Sequence, residues 1–311
     1  MTSKRRRRAA RRRSEATKTA ARTGDGAESP ESKAEERPRP RPGPAQSPFP
    51  PLPLSVSRGM WAVGATPLTL AWTFLSLLAA WALFVALGVE ATPRFLTVVM
   101  AISPAHLFTD VPVGFGAGTG LAVVVTVAAM GLLRALTFGL LTLLILGWLE
   151  EGRADLRTAL RRLPRSATVL LAVYLVEVGV IFVLLQLAAG FLGPLSLLVV
   201  VAALYFLVFV PVVAVVENAS VRESFRRGFR AARLPGTRHL TLVMVYFLLL
   251  FYAASVSPFG IVSPATPDVA TWGFAMIVTF VHAGVLGAVV YRWLAVRHEV
   301  PAGVPSADRS R

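Results

Sequence analysis

The chain has 311 residues, of which 55% are apolar and 16% charged, with a formal net charge of +15 and no cysteine. Soluble domains are roughly 45–50% apolar and about 25% charged, so this composition excludes an ordinary water-soluble protein and directs the surplus apolar surface to lipid. The lack of cysteine excludes disulfides, thiolate metal centres and a cysteine nucleophile within the chain.

Residues 1–58 read as a cytoplasmic tail. Arg5, Arg6, Arg7, Arg8, Arg11, Arg12 and Arg13 crowd its start, and Arg and Pro alternate from Arg37 to Pro42. Such a segment buries too little apolar surface to offset the entropy of ordering, which predicts disorder. Pro50 to Leu54 predicts extended polyproline geometry, a stiff spacer that also suits a proline-binding protein partner. The arginines match anionic lipid at the inner leaflet, where each basic residue near the surface contributes about 1 kcal/mol. The same charge supports salt-sensitive, sequence-independent contact with nucleic acid, or serves only to orient the first span. The first apolar run begins only after residue 60, too late for a secretory leader, so the first span reads as a retained anchor.

Six continuous apolar segments follow: Leu68 to Val89, Leu121 to Leu149, Ala167 to Ala189, Leu195 to Val216, Leu240 to Val256 and Thr271 to Trp293. Each approaches the roughly 20 residues a helix needs to cross a bilayer, and none shows the alternation of barrel strands. The expected fold is all-α and polytopic, a membrane domain over residues 59–298 with a short disordered C-terminal tail at 299–311. After the first span, Phe95, Val98, Val99 and Ile102 recur at helical spacing ahead of Pro104, which predicts an amphipathic helix on the outer surface. The glycine-rich run Gly114 to Gly120 lacks the Lys and Ser/Thr of a phosphate-binding loop and reads as a flexible lead into the second span. That span, Leu121 to Leu149, extends about 43 Å at 1.5 Å per residue and must tilt, kink or protrude. Trp148, Trp272 and Trp293 fall at span ends, where indoles favour the head-group zone.

Basic charge fills every second gap. Arg153, Arg157, Arg161, Arg162 and Arg165 occupy the loop from Glu150 to Ser166, and Arg222, Arg226, Arg227, Arg230, Arg233 and Arg238 that from Glu217 to His239. Short Arg-rich loops stay cytoplasmic, so both termini and both elbows are expected inside, in a multi-pass protein of a prokaryotic cytoplasmic membrane. Aligning Glu151 with Glu217 sets Arg161 on Arg227, an offset of 66 residues that suggests a duplicated helix–elbow–helix unit, with chance convergence the alternative. In the second elbow, Ser220 and Glu223 form a capping box that predicts a helix from Val221 to Arg233. Its Val221, Phe225 and Phe229 are expected on the bilayer and its arginines on phosphates. Glu217, Ser220, Glu223, Arg226, Arg227 and Arg230 thus form a candidate cytoplasmic elbow. Pro211 predicts a kink in the fourth span.

Pro211-Val212-Val213-Ala214-Val215-Val216-Glu217, followed by Ser220, Glu223, Ser224 and Arg227, resembles the signature of the six-helix membrane domain attached to some glycerophosphodiester phosphodiesterases, which also occurs in stand-alone bacterial and archaeal membrane proteins. The likeness spans roughly residues 66–298 and implies a helical membrane module. It carries no hydrolase activity here, because no carboxylate set of the phosphodiesterase barrel is present.

Arg134, Glu177 and His282 lie inside the spans at comparable depth, and intramembrane ionisable groups are functional candidates by default. The second and third spans should be antiparallel neighbours, which brings Arg134 within reach of Glu177. A relay or polar cavity and a purely internal salt bridge with a hydrogen-bonded neutral histidine are the competing readings. No catalytic pair, cofactor motif or metal-ligand spacing is legible. The sequence therefore points to a non-enzymatic accessory or scaffold module whose elbows and tail engage the inner leaflet or a cytoplasmic protein partner. The alternatives are a transporter using the buried cluster and an intramembrane lipid-handling enzyme.

Overall fold

The computed structural model describes residues 47–87, 101–102, 120–191, 196–256 and 269–300. The arginine-rich start of the tail, the outer stretch apart from Ala101 and Ile102, the glycine-rich run before Gly120 and the C-terminal tail lie outside these residues. Every regular element among the described residues is helical. In chain order they are α1 (Leu52–Gly64), α2 (Pro67–Leu87), α3 (Gly120–Glu151), α4 (Leu156–Phe191), α5 (Ser196–Leu207), α6 (Val210–Val216), α7 (Val221–Ala232), α8 (Arg238–Val256) and α9 (Val269–Val296), with a 3-10 turn at Arg297–Glu299.

Four helical stretches, Pro67–Leu87, Val124–Glu151, Leu156–Leu184 and Trp272–Glu299, are long and apolar enough to cross a membrane. They coincide with the first, second, third and sixth expected spans. The fourth and fifth fall on the shorter apolar helices Val201–Val216 and Arg238–Leu249. The fourth breaks at Val208 and Phe209, where α5 ends and α6 begins. Pro211 accounts for the break: its ring crowds the carbonyl of Leu207 and it has no amide to offer there. Near the start of α6 it falls among the first amides of a helix, which need no helical partner.

The tail ends earlier than its composition suggests. Residues 50–54 are no polyproline spacer, because α1 starts at Leu52 with a proline in its first positions, where the fixed φ and missing amide favour a helix start. Phe49 is fully buried, stacked on Phe209 at 5.7 Å and on His239 at 5.5 Å. Arg292 of α9 holds this segment, donating from Nη2 to the Pro50 carbonyl at 3.2 Å and from Nε to Ser55 Oγ at 3.0 Å. Arg238 donates to the Phe49 carbonyl at 2.6 Å. One turn on, α1 meets α9 backbone to backbone, since a Cβ on Gly59 would collide with Gly284, Gly287 and Ala288. Small residues permit such an approach, which supplies dispersion between the two backbones.

The remaining long helices pack by the same logic. A Cβ on Gly131 would touch Tyr174, one on Gly139 Leu163 and Leu170, and one on Gly147 the Arg153 carbonyl. Partner numbers fall as α3 numbers rise, so α3 and α4 run antiparallel. Trp72 of α2 donates its indole N–H to the Thr137 carbonyl of α3 at 3.0 Å. Hydroxyls inside the spans bond back to their own helices, as Thr142 does to Phe138 and Thr279 to Ala275.

Candidate functional site

The two elbows, although similar in sequence, differ in build. The first is a turn of four residues, 152–155, after which α4 runs unbroken through Pro164, so Arg157, Arg161, Arg162 and Arg165 stand on its opening turns. Asp155 caps that helix, accepting from the Arg157 amide at 3.0 Å and the Thr158 hydroxyl at 2.6 Å. The Thr158 hydroxyl is the main reason its carboxyl is held below the ordinary range. The second elbow is a separate helix, α7. Ser220 Oγ accepts from the Glu223 amide at 3.4 Å, as a capping residue should, and α7 closes at Ala232 with Arg233 as its cap.

Arg227 does not face phosphates. It is 7% exposed, because α7 turns this side chain onto α9. Its Nη1 lies 3.5 Å from Glu217 Oε2, its Nη2 donates to the Val300 carbonyl at 3.3 Å, and its guanidinium sits 5.1 Å from the Trp293 ring centre. Trp293 is itself fully buried against protein, and donates its indole N–H to Glu217 Oε1 at 3.0 Å. Glu217, Arg227 and Trp293 thus form a knot joining α6, α7 and α9. Sequence position gave Arg227 to the surface because a long cationic stem suits an interface; here it shares the Glu217 carboxylate with Trp293 inside. The proposed equivalence of Arg161 with Arg227 therefore has no structural counterpart, since Arg161 is exposed. Arg226 pairs with Glu223 at 2.6 Å, and Arg230 stays exposed in the last turn. Of the apolar side chains expected on the bilayer, Phe229 is exposed, whereas Val221 and Phe225 are partly buried against the core.

All these groups share one end of the bundle. Arg297 after α9 pairs with Glu150 of α3 at 3.0 Å, and Arg162 of α4 donates to the Val216 carbonyl of α6 at 3.2 Å. Each described acid at this end is engaged: Glu150 by Arg297, Glu151 by Arg153, Asp155 by its cap bonds, Glu217 by Trp293 and Arg227, Glu223 by Arg226 and Glu299 by His298. No side-chain hydrogen bond or ion pair engages Arg157, Arg161, Arg165, Arg222, Arg230 or Arg233 among the described residues.

The second cluster lies within the helices. Arg134 of α3 is 1% exposed, donates to the carbonyls of Ala101 and, at 2.9 Å, Ile102, and lies over the rings of Phe138 and Tyr174. The Ile102 amide donates to Tyr246 Oη at 3.3 Å, and Tyr246 Oη shares a hydrogen bond with His282 Nδ1 at 3.0 Å. Glu177, one turn beyond Tyr174 on α4, is fully buried and within electrostatic reach of Arg134. Neither of its carboxylate oxygens has a hydrogen-bond partner among the described residues. The structure so brings Arg134, Glu177 and His282 into one neighbourhood, with Tyr174 and Tyr246 as members that sequence reasoning passed over. A phenol inside an apolar span is a legible signal, because its hydroxyl seeks a partner there. Among the described residues no group of three or more His, Asp or Glu is arranged around a metal. Comparison of the chain with known protein families, with curated proteins and with solved structures finds no match.

Proposed function

We propose that this chain is a six-span, non-enzymatic accessory protein of a prokaryotic cytoplasmic membrane, with both termini inside and a basic inner face that engages anionic lipid. In this reading α5–α6 and α8 complete the crossings begun by the four long helices. The observation that carries it is the charge imbalance at one end of the bundle: every described acid there is engaged, while Arg157, Arg161, Arg165, Arg222, Arg230 and Arg233 are left with none. The motif from Pro211 to Arg227, with its likeness to a membrane domain found apart from any catalytic barrel, points the same way. The test is lipid enrichment around the purified protein in nanodiscs of phosphatidylcholine mixed with phosphatidylglycerol, read by native mass spectrometry. Replacing Arg222, Arg230 and Arg233 by Gln should reduce retained phosphatidylglycerol more than Glu177→Gln does. Equal retention in all three proteins removes the reading.

A second reading, a transporter or proton relay, is favoured by one observation: a fully buried Glu177 whose oxygens lack hydrogen-bond partners among the described residues. Such groups mark ion paths in membrane proteins. In proteoliposomes under a pH gradient, Glu177→Gln should abolish flux with the helices intact, and unchanged flux eliminates this second reading.

A further inference from the structure

Three arginines of α4 open onto one small cavity. Arg161, Arg162 and Arg165, with Ser166, Val215 and Asn218, line a space of about 230 Å³ between the opening turns of α4 and the end of α6. Arg161 and Arg165 stand one turn apart on the same face, and Arg162 begins the adjacent row that ends at Ser166. The site is partly fixed in advance. Arg162 is tethered through Nη2 to the Val216 carbonyl at 3.2 Å, and Ser166 Oγ is turned back to the carbonyls of Leu163 and Arg162 at 3.1 and 3.2 Å. Asn218, the only described non-glycine residue with positive φ, at 49°, places the elbow backbone at the rim.

Among the described residues no carboxylate lines this cavity, and the described acids at this end of the bundle are engaged elsewhere. Three arginines lining one space repel one another unless an anion joins them. Their planar forks match the oxygens of a phosphate far better than a point cation would. The volume is below the roughly 300–1,000 Å³ of sites for drug-sized ligands, which suits a phosphate group and not a nucleotide. The cavity also sits where α4 passes from its basic opening turns to its apolar run, at the level expected for lipid phosphates.

We propose that the space between α4 and α6 is a binding site for one phosphate oxyanion, held by Arg161, Arg162 and Arg165, whose source is an inner-leaflet lipid head group or free phosphate. The proposal rests on the reading of a basic, lipid-facing end, and adds to it a discrete site of fixed stoichiometry.

The full-length protein is placed in two kinds of nanodisc, phosphatidylcholine alone titrated with inorganic phosphate, and phosphatidylcholine with phosphatidylglycerol and no phosphate. Native mass spectrometry counts bound phosphate or retained anionic lipid. The expected result is one saturable equivalent in at least one arm. Saturation by inorganic phosphate identifies a soluble source, and saturation only by phosphatidylglycerol identifies the lipid. Arg161→Gln combined with Arg165→Gln, at exposed positions that leave the tethered Arg162 in place, should weaken that binding about 30-fold if each arginine contributes as basic residues do near anionic surfaces. Arg222→Gln with Arg230→Gln removes the same charge away from the cavity and should thin the non-saturating shell of retained phosphatidylglycerol, with the single saturable equivalent still bound at its wild-type affinity. Equal weakening by both pairs overturns the discrete site while preserving a diffuse basic face. No weakening by either pair, with both proteins folded by circular dichroism, overturns the site and the basic-face reading together.

Discussion

Gly59→Ala should destabilise the protein by about 2 kcal/mol, although alanine is the better helix former. At this crossing a Cβ would lie 2.8 Å from the Gly287 carbonyl carbon and closer still to the Ala288 amide nitrogen and the Gly284 carbonyl oxygen, against ordinary contacts of 3.4–4 Å. The obstructing atoms are backbone, so no rotamer change relieves them and α1 must move off α9 by more than about half an ångström, enough to forfeit a quarter or more of the dispersion at each contact. Overpacking of this kind costs about 1–3 kcal/mol, and rigid partners place it at the upper end. Helix propensity returns at most about 1 kcal/mol. Gly64, at the end of the same helix, provides the internal control: a Cβ there meets nothing within 4 Å, so Gly64→Ala should be neutral or slightly stabilising. Reversible unfolding of the purified protein in detergent, followed by far-ultraviolet circular dichroism, measures both. A Gly59→Ala protein as stable as wild type, or a Gly64→Ala protein that loses as much, refutes the close backbone approach as the basis of α1 docking.

Three further outcomes follow from the same geometry. Glu217→Ala strands Arg227 beside Trp293 and should cost about 3 kcal/mol by thermal unfolding, with much of the loss recovered when Arg227→Leu is added; an unrecovered double variant shows that the two do not act as a pair. Tyr246→Phe removes the hydroxyl between Ile102 and His282 and should cost about 1–2 kcal/mol in denaturant titration, whereas Arg134→Leu, which leaves two carbonyls unmet, should cost more. Asp155 has a folded-state pKa below its unfolded value, so the stability it adds is present above the unfolded value and declines as pH falls through the folded one. Acid titration of amide exchange in the first turn of α4 should therefore show protection falling at low pH in the wild type, and a flat profile in Asp155→Asn.

The periodic and compositional signals carried the helices, because a run of about 20 apolar residues has few other stable forms in lipid. Pro211 signalled the break in α5–α6, and Ser220 the start of α7, through chemistry confined to a few neighbouring residues. What escaped the sequence was decided by partners far along the chain. Arg292 and Ser55 are 237 positions apart, and their bond ties the helix that follows the proline-rich stretch to α9. Arg292 itself, one residue from the end of its span, reads as a flanking charge until the Pro50 carbonyl is placed beside it. Arg227 was misplaced for a related reason, since a long cationic side chain suits an interface and a buried knot equally until the Glu217 carboxylate is located. Arg134 and Glu177 were legible as neighbours because a short turn ties their helices together, whereas Tyr246 emerged only with the fold.

The Ile102 backbone carries a consequence for biogenesis. Its carbonyl is taken by Arg134, 32 positions later, but its amide waits for Tyr246, 144 positions later, and Tyr246 in turn meets His282. A chain made from its N-terminus thus acquires the partner of the Ile102 carbonyl long before that of its amide. During that interval the amide of Ile102 lacks the partner that the finished bundle gives it. The two halves of the cluster therefore become available in sequence, the Tyr246 hydroxyl with α8 and the His282 imidazole only with α9.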